Sequence, residues 1–97
     1  MGQLIETLRQ DREIILQIAG LYHAENVRLF GSVARGEDHA DSDIDFLVDF
    51  QPGATLFDQV GLIDALSRRL GHKVDVISSR GVNPHLSQRI LQEAVRL

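Results

Sequence analysis

The sequence contains no cysteine, no apolar run long enough to span a bilayer and no excess of positive charge. Each absence excludes something. Without cysteine there is neither a disulfide framework nor a thiolate metal site, and the chain carries no sign of its redox compartment. A transmembrane helix needs about 20 consecutive apolar residues, and none is present. The start of the chain also lacks the charged-then-apolar pattern of a secretory leader, so a cytoplasmic protein is expected. Ten Lys and Arg stand against 14 Asp and Glu, a formal charge of −4, and the basic residues are spread along the chain. A grip on a nucleic-acid backbone comes from clustered Lys and Arg, so long DNA or RNA is not the expected substrate. No internal repeat or low-complexity stretch is present.

What remains is a chain of 97 residues, 43% hydrophobic and 25% charged. That composition is ordinary for a globular protein, and the length fits one domain spanning residues 1–97. Leu4 to about Gly20 shows helical spacing through Leu4, Ile5, Leu8, Ile15, Ile18 and Ala19. Val27 to Gly31 is short, apolar and ended by glycine, which predicts a buried strand. Ser32 to Gly36 fits a tight turn or short helix, and Glu37 to Ser42 a polar loop. Asp43 to Phe50 predicts a second strand, broken by Gln51, Pro52 and Gly53. Thr55 to Leu70 predicts a long helix with Leu56, Val60, Ile63, Leu66 and Leu70 on one face, stopped by Gly71. Lys73 to Ser78 predicts a third strand, Ser79 to Pro84 a loop, and Leu86 to Val95 a final helix. The first two strands are joined by about ten residues without a long helix. The pattern therefore predicts a small mixed α/β sheet, not a regular doubly wound one.

Asp43 and Asp45 lie two apart on a predicted strand. The period of two puts both carboxylates on one face and turns Ile44 toward a core. Like charges on one face repel, and a divalent cation compensates them directly. Magnesium suits such a place, because it takes one or two carboxylates together with waters and substrate phosphates. Asp75, between Val74 and Val76, is a third candidate, since an aspartate inside an apolar strand is costly unless paired or metal-bound. Were the two strands adjacent, three carboxylates would converge, a donor set able to hold two metals for in-line displacement at phosphorus. An Asp-x-Asp on a strand is equally an ordinary solvated face, and an aspartate in a short strand an ordinary edge residue.

Upstream, Phe30 runs into Gly31 and Ser32, with Arg35 and Gly36 following. Glycine lets a ligand approach the backbone closely. A serine hydroxyl and the amides at a helix start donate to phosphate oxygens. Arg35 could add charge-assisted hydrogen bonds. The alternative is a plain strand-to-helix turn with a serine cap.

Together these pieces resemble a known pattern. GSVARGEDHADSDIDFLVDF is similar to the signature of the DNA polymerase beta-like nucleotidyltransferase superfamily: Gly31-Ser32, ten residues from Val33 to Ser42, then Asp43-x-Asp45. Ala34-Arg35-Gly36 and Ser42-Asp43-Ile44-Asp45, with Val48, look like its minimal nucleotidyltransferase (MNT) branch. The resemblance runs from about Val27 to Ile77. It implies a small palm-like mixed sheet flanked by helices. It implies that Asp43 and Asp45 ligate two magnesium ions, with manganese as the alternative metal. Asp75 would be the third carboxylate, binding the catalytic metal and helping to deprotonate the acceptor hydroxyl. Gly31 and Ser32 would hold the triphosphate of ATP or another nucleoside triphosphate, and Arg35 matches a position that is usually basic.

Free MNT proteins resemble the antitoxin half of a two-component system whose partner is a helical HEPN-domain ribonuclease toxin. The implied reaction is transfer of AMP from ATP to a tyrosine hydroxyl of that toxin. Two alternatives stand beside it: an antitoxin that neutralises its partner by binding alone, and a nucleotidyltransferase acting on a small molecule such as an aminoglycoside. A homodimer and a mixed complex with the partner are both open. Outside the motif, Asp38, His39 and Asp41 read as a solvated loop, Asp49 as solvent-exposed, and Tyr22 and His23 as loop residues. His72 and Lys73 read as surface residues, with Lys73 able to alternate onto the face of Asp75. His85 and Arg89 are assigned to a partner-facing helix.

Overall fold

The computed structural model describes residues 4–39, 42–81 and 92–97. Two helices open the chain, α1 (Leu4–Gln10) and α2 (Arg12–Leu21). The single helix expected there is divided at Asp11, whose backbone N–H donates to Thr7 O at 3.2 Å and whose carbonyl accepts from Ile15 N. Leu8, Ile15 and Ala19 are buried, and Leu4, Ile5 and Ile18 pack partly against the same core. Hydrophobic spacing survives the break, so the sequence carried no signal of it. Strand β1 (Ala24–Phe30) begins three residues earlier than its apolar run suggests. A shift of register between Glu25 and Arg28, with Asn26 at φ +52°, marks a bulge. Asparagine tolerates this left-handed conformation better than most residues. The bulge also lets Ala24 and Val27, three apart, both be buried.

A one-turn helix α3 (Gly31–Ala34) follows, then strand β2 (Ile44–Phe50), helix α4 (Leu56–Leu70), strand β3 (Val74–Ser78), a 3-10 turn at Ser79–Gly81 and a two-residue strand β4 (Val95–Arg96). At the head of α4 the Asp58 carboxylate accepts the Thr55 N–H at 2.9 Å, and Gly71 closes its far end in the left-handed conformation. The buried face of α4 is Leu62 and Leu66, with Ile63 and Leu70 at its margin. Leu56 and Val60, expected on that face, are 73% and 57% exposed beside Phe57. The inward face is centred on Leu62 and Leu66, with Gln59 reaching the Val76 carbonyl at 2.8 Å, and at about 100° per residue Val60 is turned well away from it. The expected helix from Leu86 to Val95 lies mostly outside the described residues; of its described positions Gln92 and Glu93 are helical, and Val95 is in a strand. His85 and Arg89 also lie outside them.

The sheet order is β3-β2-β1-β4, with β2 and β3 parallel and the other pairs antiparallel. It is the small mixed sheet flanked by helices that the pattern predicts. Alternation separates its two faces. Leu29, Phe46 and Val76 form one cross-strand row and are at most 1% exposed. They meet Leu8, Ile15, Leu62 and Leu66 from the helices in a single core. The next row, Phe30, Asp45 and Asp75, falls on the opposite face. No helix among the described residues is long and apolar enough to cross a membrane.

Candidate active site

Parallel pairing aligns Asp45 with Asp75, and antiparallel pairing places Phe30, the last residue of β1, opposite Asp45. The end of β1, the start of β2 and the start of β3 therefore meet at one edge of the open face. Asp43 immediately precedes β2 and is exposed; the strand itself starts at Ile44. It is nonetheless held beside the other two. The Ile44 N–H donates to Lys73 O at 2.9 Å, which ties the starts of β2 and β3 together. The preceding turn is closed by Ser42 N–H to His39 O at 3.0 Å and His39 N–H to Ser42 Oγ at 2.6 Å.

The electrostatics record the convergence. The Asp45 carboxyl is raised above its ordinary value, first by burial, then by the charges of Asp75 and Asp43, with Arg35 opposing. A carboxylate destabilised in this way is poised for a cation. Lys73, read from sequence as a surface residue, is 82% exposed at its side chain, yet its Nζ stands 3.8 Å from Asp43 Oδ2.

The turn after β1 touches the same carboxylate. Gly31 has φ +74°, a conformation that disfavours any side chain. A Cβ at this position would lie 2.5 Å from Asp45 Oδ2. Glycine is required here twice, for the backbone angle and for the carboxylate packed against it. Ser32 follows at the start of α3, where the first amides have no partner within the helix. Arg35 is bound to glutamates: its Nε is 3.2 Å from Glu37 Oε2 and its Nη1 is 3.6 Å from Glu93 Oε2.

These residues fit a divalent metal. Among the described residues no three His, Asp or Glu side chains form a self-contained cage. A magnesium site that completes its shell with water and substrate phosphate does not need one.

A family model, the nucleotidyltransferase domain, matches residues 8–97. The chain belongs to that family. A candidate protein adenylyltransferase of Methanocaldococcus jannaschii is 42% identical to this nucleotidyltransferase over 81 residues, covering 84% of the chain and 87% of its own length. The protein adenylyltransferase MntA of Thermococcus cleftensis is 32% identical over 74 residues, covering 76% of the chain and 75% of its own length. A solved structure described as a candidate minimal nucleotidyltransferase superposes with a TM-score of 0.86 at 49% identity, covering 95% of this chain and 94% of its own. The protein is an enzyme of the nucleotidyl-transfer class.

Two sequence readings of the nucleotidyltransferase need correction. Asp38 is 8% exposed, so the loop before β2 is not wholly solvated; Asp41 lies outside the described residues. Asp49 is not a free surface charge. Its carboxylate accepts Arg28 Nη2–H at 2.7 Å and Asn26 Nδ2–H at 2.8 Å. Burial raises the Asp49 carboxyl, but hydrogen bonds from Ser79 and Asn26, with the charge and hydrogen bond of Arg28, outweigh it and hold it below its ordinary value. A lowered carboxyl stabilises the fold above its unfolded pKa, and that contribution fades as pH falls through the folded value. Asp49→Asn should therefore lower the melting temperature at pH 7. The difference from wild type should close on acidification, as read by thermal melts across the acid range.

Proposed function

We propose that this nucleotidyltransferase transfers AMP from ATP to a protein hydroxyl, a tyrosine of a HEPN ribonuclease toxin, with magnesium, and acts as its antitoxin. The observation that carries the catalytic reading is the meeting of Asp45, aligned with Asp75, and Gly31, whose missing Cβ makes room for the Asp45 carboxylate. Relatives named as protein adenylyltransferases support AMP as the transferred group and protein as the acceptor. The toxin partner and its tyrosine rest on the MNT resemblance.

Asp43, Asp45 and Asp75 would hold the metal. When bound, it neutralises triphosphate charge and lowers the pKa of the acceptor hydroxyl. Gly31 and Ser32 receive phosphate oxygens at the start of α3, and Arg35 is positioned to add charge if it leaves its glutamates. The acceptor oxygen attacks the α-phosphorus, its proton passes to the Asp75 carboxylate, and the α–β bridging bond breaks to release pyrophosphate. A new phosphodiester joins AMP to the acceptor.

Co-production of the chain with its toxin tests the antitoxin role. The Asp43→Asn/Asp45→Asn double variant should still bind the partner but no longer neutralise it, and the partner should carry no AMP by mass spectrometry. Full neutralisation by the double variant would instead assign neutralisation to binding alone.

A further inference from the structure

We propose that Lys73 is a phosphate-binding residue of this site, resting on Asp43 as its counter-ion while no nucleotide is bound and moving to the triphosphate when one is. This rests on the reading of the site as an ATP site.

Position comes first. Along residues 73–76 the chain alternates exposed, buried, exposed, buried, so Lys73 shares a side with Asp75 while Val74 and Val76 enter the core. Its carbonyl accepts from Ile44 N, between the two aspartates of the motif. The root of the side chain is thereby fixed beside Asp43 and on the side of Asp75, while its ammonium sits on a flexible four-carbon stem.

Availability comes second. Among the described residues two cations flank the site, and they differ in how they are held. Arg35 contacts two glutamates. The Lys73 ion pair is 3.8 Å long, with side chains 82% and 46% exposed. Exposed pairs of this kind contribute little and exchange readily.

The exchange follows from charge. A metal on Asp43 compensates the carboxylate and repels the ammonium. The incoming triphosphate brings oxygens for which lysine is a suitable point-charge partner. Lys73 therefore opposes metal binding in the empty site and favours nucleotide binding in the loaded one.

Those opposite signs make the test. Lys73→Met should bind free Mn²⁺, followed by electron paramagnetic resonance, roughly two- to fivefold more tightly than wild type. It should bind ATP with Ca²⁺, followed by calorimetry, about tenfold more weakly. Lys73→Arg should restore ATP affinity. A general structural defect would weaken both ligands together and would overturn the proposal. Wild-type ATP affinity in Lys73→Met would also overturn it, leaving the assigned reaction intact. Absence of ATP binding by the unaltered chain would overturn both.

Discussion

Asp45→Asn should reduce nucleotidyl transfer by about three orders of magnitude and, in the absence of metal, raise the melting temperature at pH 7. The loss of activity follows from the place of Asp45 at the centre of the site, in register with Asp75 and against Gly31. Removing a preorganised charge at such a centre costs roughly 10²–10³ in rate or more, and a carboxylate that holds a metal lies at the upper end. The gain in stability follows from the same surroundings. Burial and the charges of Asp75 and Asp43 raise the Asp45 carboxyl in the folded chain. The folded state then keeps its proton to higher pH than the unfolded state does. The resulting stabilisation is present at low pH and is lost as pH rises through the folded value. Above the unfolded pKa the wild-type chain bears a cost for this group, and the asparagine variant does not. Metal-free melts should show the variant ahead at pH 7 and the gap narrowing on acidification. Added magnesium should stabilise wild type more than the variant. A variant that melts below wild type at pH 7 without metal would show that Asp45 is not under the repulsion described.

Gly31→Ala should lower both stability and transfer. An alanine in the left-handed region costs about 1–2 kcal/mol. Its methyl group would also meet the Asp45 carboxylate at 2.5 Å, so that one of the two must move. The two effects together suggest about 2 kcal/mol, a fall of roughly 10 °C in melting temperature for a domain of this size. Displacing a catalytic group by about 1 Å can cost 10²-fold in rate, so transfer should fall by about that factor even well below the variant's melting point. A variant that melts early yet transfers at the wild-type rate would separate Gly31 from the positioning of Asp45.

The site was more legible than the packing around it. Gly31-Ser32 and Asp43-x-Asp45 are local, and the chemistry proposed for them comes from the family resemblance that their fixed spacing carries. Strand β3 was legible too, because Asp75 interrupts an apolar run. Its pairing beside β2 was conditional, since sequence does not give strand order. The parallel register that aligns Asp45 with Asp75 is a property of the fold. The errors have a common origin. Leu56 and Val60 share an apolar stripe with Ile63 and Leu70, but the face turned to the core is centred on Leu62 and Leu66, and spacing alone does not say which edge of a stripe faces inward. Asp38 and Asp49 look like solvent-facing charges because polarity reveals neither burial nor a partner such as Arg28 across the strand. The break at Asp11 leaves the hydrophobic period intact and so leaves no trace.

Nucleotidyl transfer by this chain should depend on the carboxylates of Asp43, Asp45 and Asp75. The most direct test incubates the protein and magnesium in an extract of its native host with ATP labelled either at the α- or at the γ-phosphate. The Asp43→Asn/Asp45→Asn variant runs in parallel. A protein band should be labelled from the α-position alone, and only with the intact carboxylates. A band labelled from the γ-position would show phosphoryl transfer instead, and α-label that persists in the double variant would contradict the assignment of the site.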